Sequence, residues 1–333
     1  MTTGKRAAGG SGSRPGLAAS RSIDIIEFLA LFPERSFTLS EISRATQINI
    51  ASCFAVLNRL TARGFLTRSA DQKTYTLGPT LIAVGLAGLK SQPLVARAKQ
   101  GAEDLRRELG APVLLTTVIG DDILAVFALE DAEGRAPGMW VGERLPLVPP
   151  LGAPFLAWAP EEAVEAWIAR RAVPPDQRLI DDWRRDLQLT RQHGFLVSLR
   201  ATNGPDIPTV MAAVASGHHS LDYRDEVTRF INSFEHHQSA QPETIEDEEF
   251  YELLMIASPI FDHKGEAAFN LCLGGFPQRL SGATIKTYAD RLTRTCLEVM
   301  RADRSMLRRD RERAGVERVS RPAKDGVRQG ARQ

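Results

Sequence analysis

Near the start of the chain, apolar residues recur at helical spacing. From Ser20 onward, Ile26, Leu29 and Phe32 form a stripe that Pro33 ends. Thr38 predicts the N-cap of a second helix, because Glu41 stands three residues on and completes a capping box. Leu39 and Ile42 face inward on it. Asn49 caps a third helix, where Cys53, Val56, Leu57 and Leu60 fall at i, i+3, i+4 and i+7 and make one buried face. Gly64 supplies the positive φ that a helix end favours. Residues 65–68 and 73–77 predict two short strands around the polar tip Ser69-Ala70-Asp71-Gln72. Three short helices followed by a hairpin, with a turn near Gln47, predict a winged helix-turn-helix.

After Gly78-Pro79 the pattern predicts a small-residue helix over 81–89 and a longer amphipathic one over 94–109. The period then shortens. Residues 113–119 and 123–129 flank Gly120-Asp121-Asp122 as a hairpin. A stretch rich in Pro and Gly covers 137–154. Helices are expected over 161–172 and 181–193, with a strand over 195–199. Residues 200–250 are irregular, with one helix around 223–234. Residues 253–261 and 267–273 make a second hairpin across Asp262-His263-Lys264-Gly265. Ser281 caps a last long helix carrying Ile285, Tyr288, Leu292 and Cys296, and its apolar stripe fades after Met300. Strands and helices do not alternate regularly, so the fold class is α+β with an antiparallel sheet.

The expected organisation is a flexible basic arm (1–19), a winged helix (20–78), a linker helix (79–93), a second domain (94–300) and an Arg-rich disordered tail (301–333). Composition agrees with two domains: 333 residues, 43% hydrophobic and 25% charged. Net charge is +1, but unevenly spread. Residues 301–333 hold 11 Lys+Arg against 5 Asp+Glu, and residues 218–250 hold 9 acids against 2 arginines.

Several classes are disfavoured. The three cysteines, Cys53, Cys272 and Cys296, form no CxxC, which argues against a zinc site or a disulfide framework and for a cytoplasmic protein. Cys53 reads as a small core residue. The most apolar stretch, 81–89, is far short of the roughly 20 residues a bilayer needs, so no membrane span is expected. His218-His219 and His236-His237, near Asp222, Asp225 and Glu235, have no recognised metal spacing, and no metal is expected. No GxGxxG, P-loop, GxSxG or HExxH occurs, so neither catalytic residues nor a cofactor are expected.

The pieces "SRSIDIIEFLA", "TLSEISRATQI", "VLNRLTARGFLTR" and "YTLGPTLIAVG", then "VGERLPL", "LGAPFLAWAPEE", "ASPIFDHKGE" and "LGGFPQRLS", resemble in order and spacing the IclR family of bacterial transcriptional regulators over about residues 20–300. The resemblance implies an N-terminal winged helix, a linker helix used in dimerisation, and a C-terminal effector-binding domain of GAF-like α+β fold. It implies a homodimer or homotetramer on a double-stranded DNA operator, responding to a small-molecule effector. Two departures stand out. Ile50 takes the family's leading Lys or Pro of the third helix and Ala55 its later Arg, and residues 200–250 are longer and more acidic than the usual connection.

Phosphate contacts supply affinity and register, and groove-facing side chains read base identity. The candidate DNA-reading face is Asn49, Ser52, Phe54, Ala55 and Asn58, with Asn favouring adenine and Phe54 and Ala55 suited to thymine methyls. Arg21, Arg44, Arg59, Arg63, Arg68 and Lys73 are the expected backbone contacts, helped by Lys5, Arg6 and Arg14. The alternative to DNA reading is a winged helix that serves as an interaction module, with Ile50 and Phe54 as a protein-contact patch. In the second domain the resemblance places Pro150, Leu151 and Gly152 on one pocket wall, Leu253 and Met255 on another, and Cys272 and Gly274 on the opposing strand. Relatives carry small hydroxyl residues at the last two positions. Here the donors are weaker, so either the ligand is less polar or the response is lost. As ordinary core and turn residues, all seven are equally well explained.

Overall fold

The computed structural model describes residues 17–30, 32–171, 174–200, 241–276 and 279–319. The expected basic arm up to residue 16, the paired histidines, the helix around 223–234 and residues 320–333 lie outside them. The chain divides into two compact units at Ser91/Gln92.

The first unit opens with α1 (Leu17–Ala30), three residues earlier than the apolar stripe predicts, because Leu17, Ala18 and Ala19 are helix formers with no breaker among them. A two-residue strand β1 (Phe37–Thr38) leads into α2 (Leu39–Ala45). The capping box is formed: the Thr38 hydroxyl accepts the Glu41 N–H at 3.4 Å, and the Thr38 N–H donates to Glu41 Oε2 at 2.7 Å. Those bonds from Thr38, with help from Arg35, hold the Glu41 carboxyl below its ordinary range.

Helix α3 (Ile50–Ala62) starts on the Asn49 cap, whose Oδ1 accepts the Ser52 N–H at 2.9 Å. It ends as glycine allows: Gly64 has φ +70°, and the Phe65 N–H reaches back to the Leu60 carbonyl at 2.9 Å. Strands β2 (Leu66–Arg68) and β3 (Thr74–Leu77) form the wing, and β1 adds to β3 as a third strand, which the pattern did not predict. Ile25, Leu29, Phe37, Ile42, Ile48, Cys53, Leu57, Leu66 and Tyr75 share one core. The unit closes with α4 (Pro79–Ser91), which buries no side chain.

In the second unit, α5 (Pro93–Leu109) precedes a six-stranded antiparallel sheet in the order β6-β5-β4-β10-β9-β7. Its members are β4 (Val113–Ile119), β5 (Asp122–Leu129), β6 (Arg144–Pro146), β7 (Leu196–Leu199), β9 (Leu253–Phe261) and β10 (Ala267–Gly274). A separate pair joins β8 (Phe250–Tyr251) and β11 (Leu280–Ser281). One face of the sheet packs on α5 and on the last helix, α9 (Gly282–Val319). These helices approach closely at Gly101, where a Cβ would lie 2.7 Å from the Thr295 methyl. Arg97 to Asp303 (2.6 Å) and Arg291 to Glu108 (2.7 Å) tie them together. The other face is covered by the short α6 (Ala153–Leu156) and by α8 (Gln177–His193), with α7 (Glu161–Ile168) beyond.

Three boundaries differ from expectation. Helix α7 stops at Ile168 instead of continuing to 172. Helix α8 begins at Gln177, because Asp176 caps it by accepting the Leu179 N–H at 2.8 Å. Helix α9 runs on to Val319, so the expected disordered tail is helical over residues 301–319, a stretch rich in Arg, which favours helix without an apolar stripe.

Candidate functional site

In the first unit the candidate face is the outer side of α3. Cys53 and Leu57 are fully buried on its inner side, and helical periodicity puts Ala51, Ala55, Asn58 and Ala62 diametrically outward. Phe54 flanks this stripe and is 45% exposed, and Ile50 is 56% exposed. Of the expected reading residues, Phe54, Ala55 and Asn58 therefore share one exposed face. Ser52 sits at its edge, half-buried. Asn49 has its carbonyl oxygen committed to the cap, leaving only its amide Nδ2 to offer. Ala51, at the centre of the stripe, was absent from the expected set, although the i, i+4 spacing to Ala55 marks it.

The same unit carries five exposed cations, of which Arg59 lies on α3 and Arg63 caps its end. Arg44, Arg59, Arg63, Arg68 and Lys73 are all exposed, and none forms an ion pair with a described residue. Arg68 lies with its guanidinium 5.7 Å from the centre of the Tyr75 ring. Lys73 is in the turn of the wing, at φ +53°, not on the strand where the pattern put it. Arg21 is half-buried in α1. The turn between α2 and α3 is braced by the buried Ser43 and by Gln47 at φ +54°.

The second unit contains a cavity of about 120 Å³ between the sheet and its α6/α8 cover. Pro150, Leu151, Gly152, Met255 and Cys272 line it. Leu253 does not. Across the β7/β9 pair, Ser198 faces Met255 but Leu199 faces Leu253, so Leu254 is an extra residue in β9. This bulge shifts the alternation by one, and Leu254 takes the cavity position that strict period two gives to Leu253. Gly274 does not line the cavity either. A Cβ there would lie 2.7 Å from the Pro137 carbonyl oxygen, so the position serves close backbone packing under the segment that roofs the cavity.

The polar lining comes from residues that sequence reasoning missed: Thr116 on β4, Asp186 on α8, Ser198 on β7 and Asn270 on β10. All four are buried. Burial pushes the Asp186 carboxyl up to about 7, against the opposing hydrogen bond from the Gln241 N–H at 3.2 Å. Burial also raises the Cys272 thiol well above its usual range, which keeps it protonated. The sheet's register brings Thr116, Ser198 and Asn270 together, and the covering helix α8 adds Asp186; no local motif links the four.

No protein-family model matches the chain. The Pca regulon regulatory protein of Pseudomonas putida is 32% identical over 114 residues, which is 34% of this chain and 38% of that protein. The transcriptional regulator BhcR of Paracoccus denitrificans is 23% identical over 284 residues, 85% of each chain. The solved IclR transcriptional regulator of Alicyclobacillus acidocaldarius superposes with a TM-score of 0.63 at 17% identity, covering 86% of this chain and 98% of its own. An IclR homologue of Microbacterium hydrocarbonoxydans, solved with 4-hydroxybenzoate, gives 0.58 at 16% identity, covering 86% and 99%. The chain resembles transcriptional regulators in sequence, and its fold, α+β with a winged helix ahead of an antiparallel sheet, is that of the IclR transcriptional regulators.

Proposed function

We propose that the chain is a DNA-binding transcriptional regulator of the IclR type whose C-terminal unit senses a small metabolite. The observation that carries this is the outer face of α3. An exposed stripe of Phe54, Ala55 and Asn58 shares its unit with five exposed cations that no described carboxylate pairs with. A helix so placed reads the major groove with uncharged side chains while Arg59, Arg63, Arg44, Arg68 and Lys73 hold phosphates. Arg21 and the edge residues Asn49 and Ser52 complete the proposed DNA contacts.

Helix α4 supports a paired molecule. Ile82, Val84 and Leu86 are 68%, 52% and 58% exposed on a helix that buries nothing, and a second copy of the chain would cover them in a homodimer or homotetramer. The Microbacterium homologue holds 4-hydroxybenzoate, and the cavity bounded by Pro150, Leu151, Gly152, Met255 and Cys272 is where this chain has room for a small molecule. Among the described residues, no helix is long and apolar enough to cross a membrane. The proposed setting is the cytoplasm, with no cofactor. Ligand-independent repression is the alternative within this reading, and titration of metabolites into an operator complex separates the two.

A second reading has its own observation: Ile50 and Phe54 are apolar and exposed side by side, as in a protein-docking patch. Salt-dependent binding to duplexes from the promoter neighbourhood decides. A DNA reader loses affinity with log K falling by roughly 0.9 per phosphate neutralised per decade of salt. Arg59→Ala then weakens all sequences alike, and Asn58→Ala relaxes preference at one base pair. Failure to bind any duplex at low ionic strength rejects the regulator in favour of the adaptor.

A further inference from the structure

The cavity of the second unit is rich in hydrogen-bond acceptors. Asn270 is 4% exposed. Its Nδ2 donates to the Cys272 sulfur at 3.3 Å, and the Cys272 thiol lies 3.9 Å from the Asn270 backbone carbonyl as its donor. With the thiol proton so directed, the sulfur accepts from the amide, and Oδ1 remains a buried acceptor with no hydrogen-bond partner. Buried polar groups in native folds are completed, and because Asn270 lines the cavity a bound ligand can supply the missing donor. Asp186 is the second acceptor, 7% exposed and lining the same space. One of its oxygens takes the Gln241 N–H, and no described cation pairs with it. The hydroxyls of Ser198 and Thr116 adapt to either role. No Lys, Arg or His is among the described lining residues.

We infer that this cavity takes a small ligand with a hydrogen-bond-donating head, an amine or an alcohol, on a compact apolar body, and that it rejects carboxylates. The inference rests on the effector-sensing function proposed above and names the ligand class. A ligand carboxylate would offer nothing to Asn270 Oδ1 and would bring a second anion to Asp186 wherever that carboxyl is ionised. An ammonium, with three N–H groups, donates to both; a hydroxyl, with one proton, donates to one of them. A carboxyl that ionises near 7 accepts an ammonium as the carboxylate and tolerates an alcohol in either state. Leu114, Ile123, Leu145, Phe155 and Leu196 hold the body. A cavity of roughly 150 Å³ takes benzene, so the space here fits a branched five-carbon skeleton.

The test is calorimetric titration of the full-length protein with 3-methylbutylamine, 3-methylbutan-1-ol and 3-methylbutanoate, which share one carbon skeleton. The amine, the alcohol or both bind at least about tenfold tighter than the carboxylate. Asn270→Leu weakens whichever binds. Asp186→Asn weakens the amine more than the alcohol, and because Asn keeps the acceptor for the Gln241 N–H, this variant carries the test if Asn270→Leu fails to fold. Carboxylate binding equal to or tighter than the others overturns the inference. So does the absence of binding by all three at millimolar concentration, or unchanged affinity in the folded variants. Calorimetry reads the cavity without DNA. Rejection of all three by a protein that still binds operator DNA therefore sinks the ligand class alone, whereas failure on duplexes sinks the regulator.

Discussion

The hydroxyl of Ser43, on α2, donates to the backbone carbonyl of Ile48 at 2.6 Å, across the turn that aims α3. Ser43 and Ile48 are both buried, so water does not substitute for either partner. This bond acts with the turn's other bonds, Thr46 N–H and hydroxyl to the Ile42 carbonyl, and with Ile42 and Cys53 in the core, to hold the angle between the two helices.

Ser43→Ala leaves the Ile48 carbonyl buried and unpaired. The expected cost is about 1–2 kcal/mol for the first unit. Urea unfolding followed by circular dichroism measures it. DNA affinity should fall further than stability explains, because the α3 approach angle loosens. A variant equal to the parent in both respects removes the bond from the account.

Asp186 makes stability depend on pH. Its folded carboxyl sits at about 7, above the ordinary carboxylate value it has when unfolded. The folded state therefore holds the extra proton. Its contribution is fully present below the unfolded value and is lost as pH rises towards 7, where the buried charge appears. Asp186→Asn should flatten this slope and leave the protein more stable than the parent near pH 8. Denaturation midpoints at several pH values, read by tryptophan fluorescence, check both the sign and the window.

Gly274→Ala places a methyl 2.7 Å from the Pro137 carbonyl oxygen. Backbone must give way, since the obstacle is not a flexible side chain. The expected loss is roughly 1–3 kcal/mol, with the roof over residues 137–139 displaced. Calorimetric unfolding measures the first effect, and weaker ligand binding reports the second.

Paired substitution Ile82→Glu with Leu86→Glu puts two charges on one side of α4. Sedimentation velocity should show a smaller species than the parent, with the second unit still folded. An unchanged sedimentation coefficient would take α4 out of the proposed interface.

The first unit was legible in the amino-acid order because its signals are short-range. Thr38 with Glu41, Asn49, Gly64 and the 53/56/57/60 stripe each act within one or two helical turns. The cavity was harder to read. Its walls at Pro150–Gly152 and Met255 followed from the resemblance. Thr116, Asp186, Ser198 and Asn270 are far apart along the chain, and no local pattern links them. Leu253, placed on a wall by the resemblance, is not among the cavity's lining residues, because Leu254 is an extra residue in β9 and shifts the alternation there. Helix α6 hides in a Pro- and Gly-rich stretch, where propensity argues against any helix. Helix α1 begins early because Leu17–Ala19 are neutral in pattern but permissive in backbone.

The added residue at Leu254 puts the two ends of β9 out of phase. Removing a single amino acid at that point would turn Leu253 toward the ligand space and restore an unbroken ladder with β7, with no change of side-chain composition elsewhere. Chain length within one strand is thus a handle on the shape of this cavity, separate from mutation of the walls, and a protein engineer seeking to reshape it has a deletion to try before any substitution.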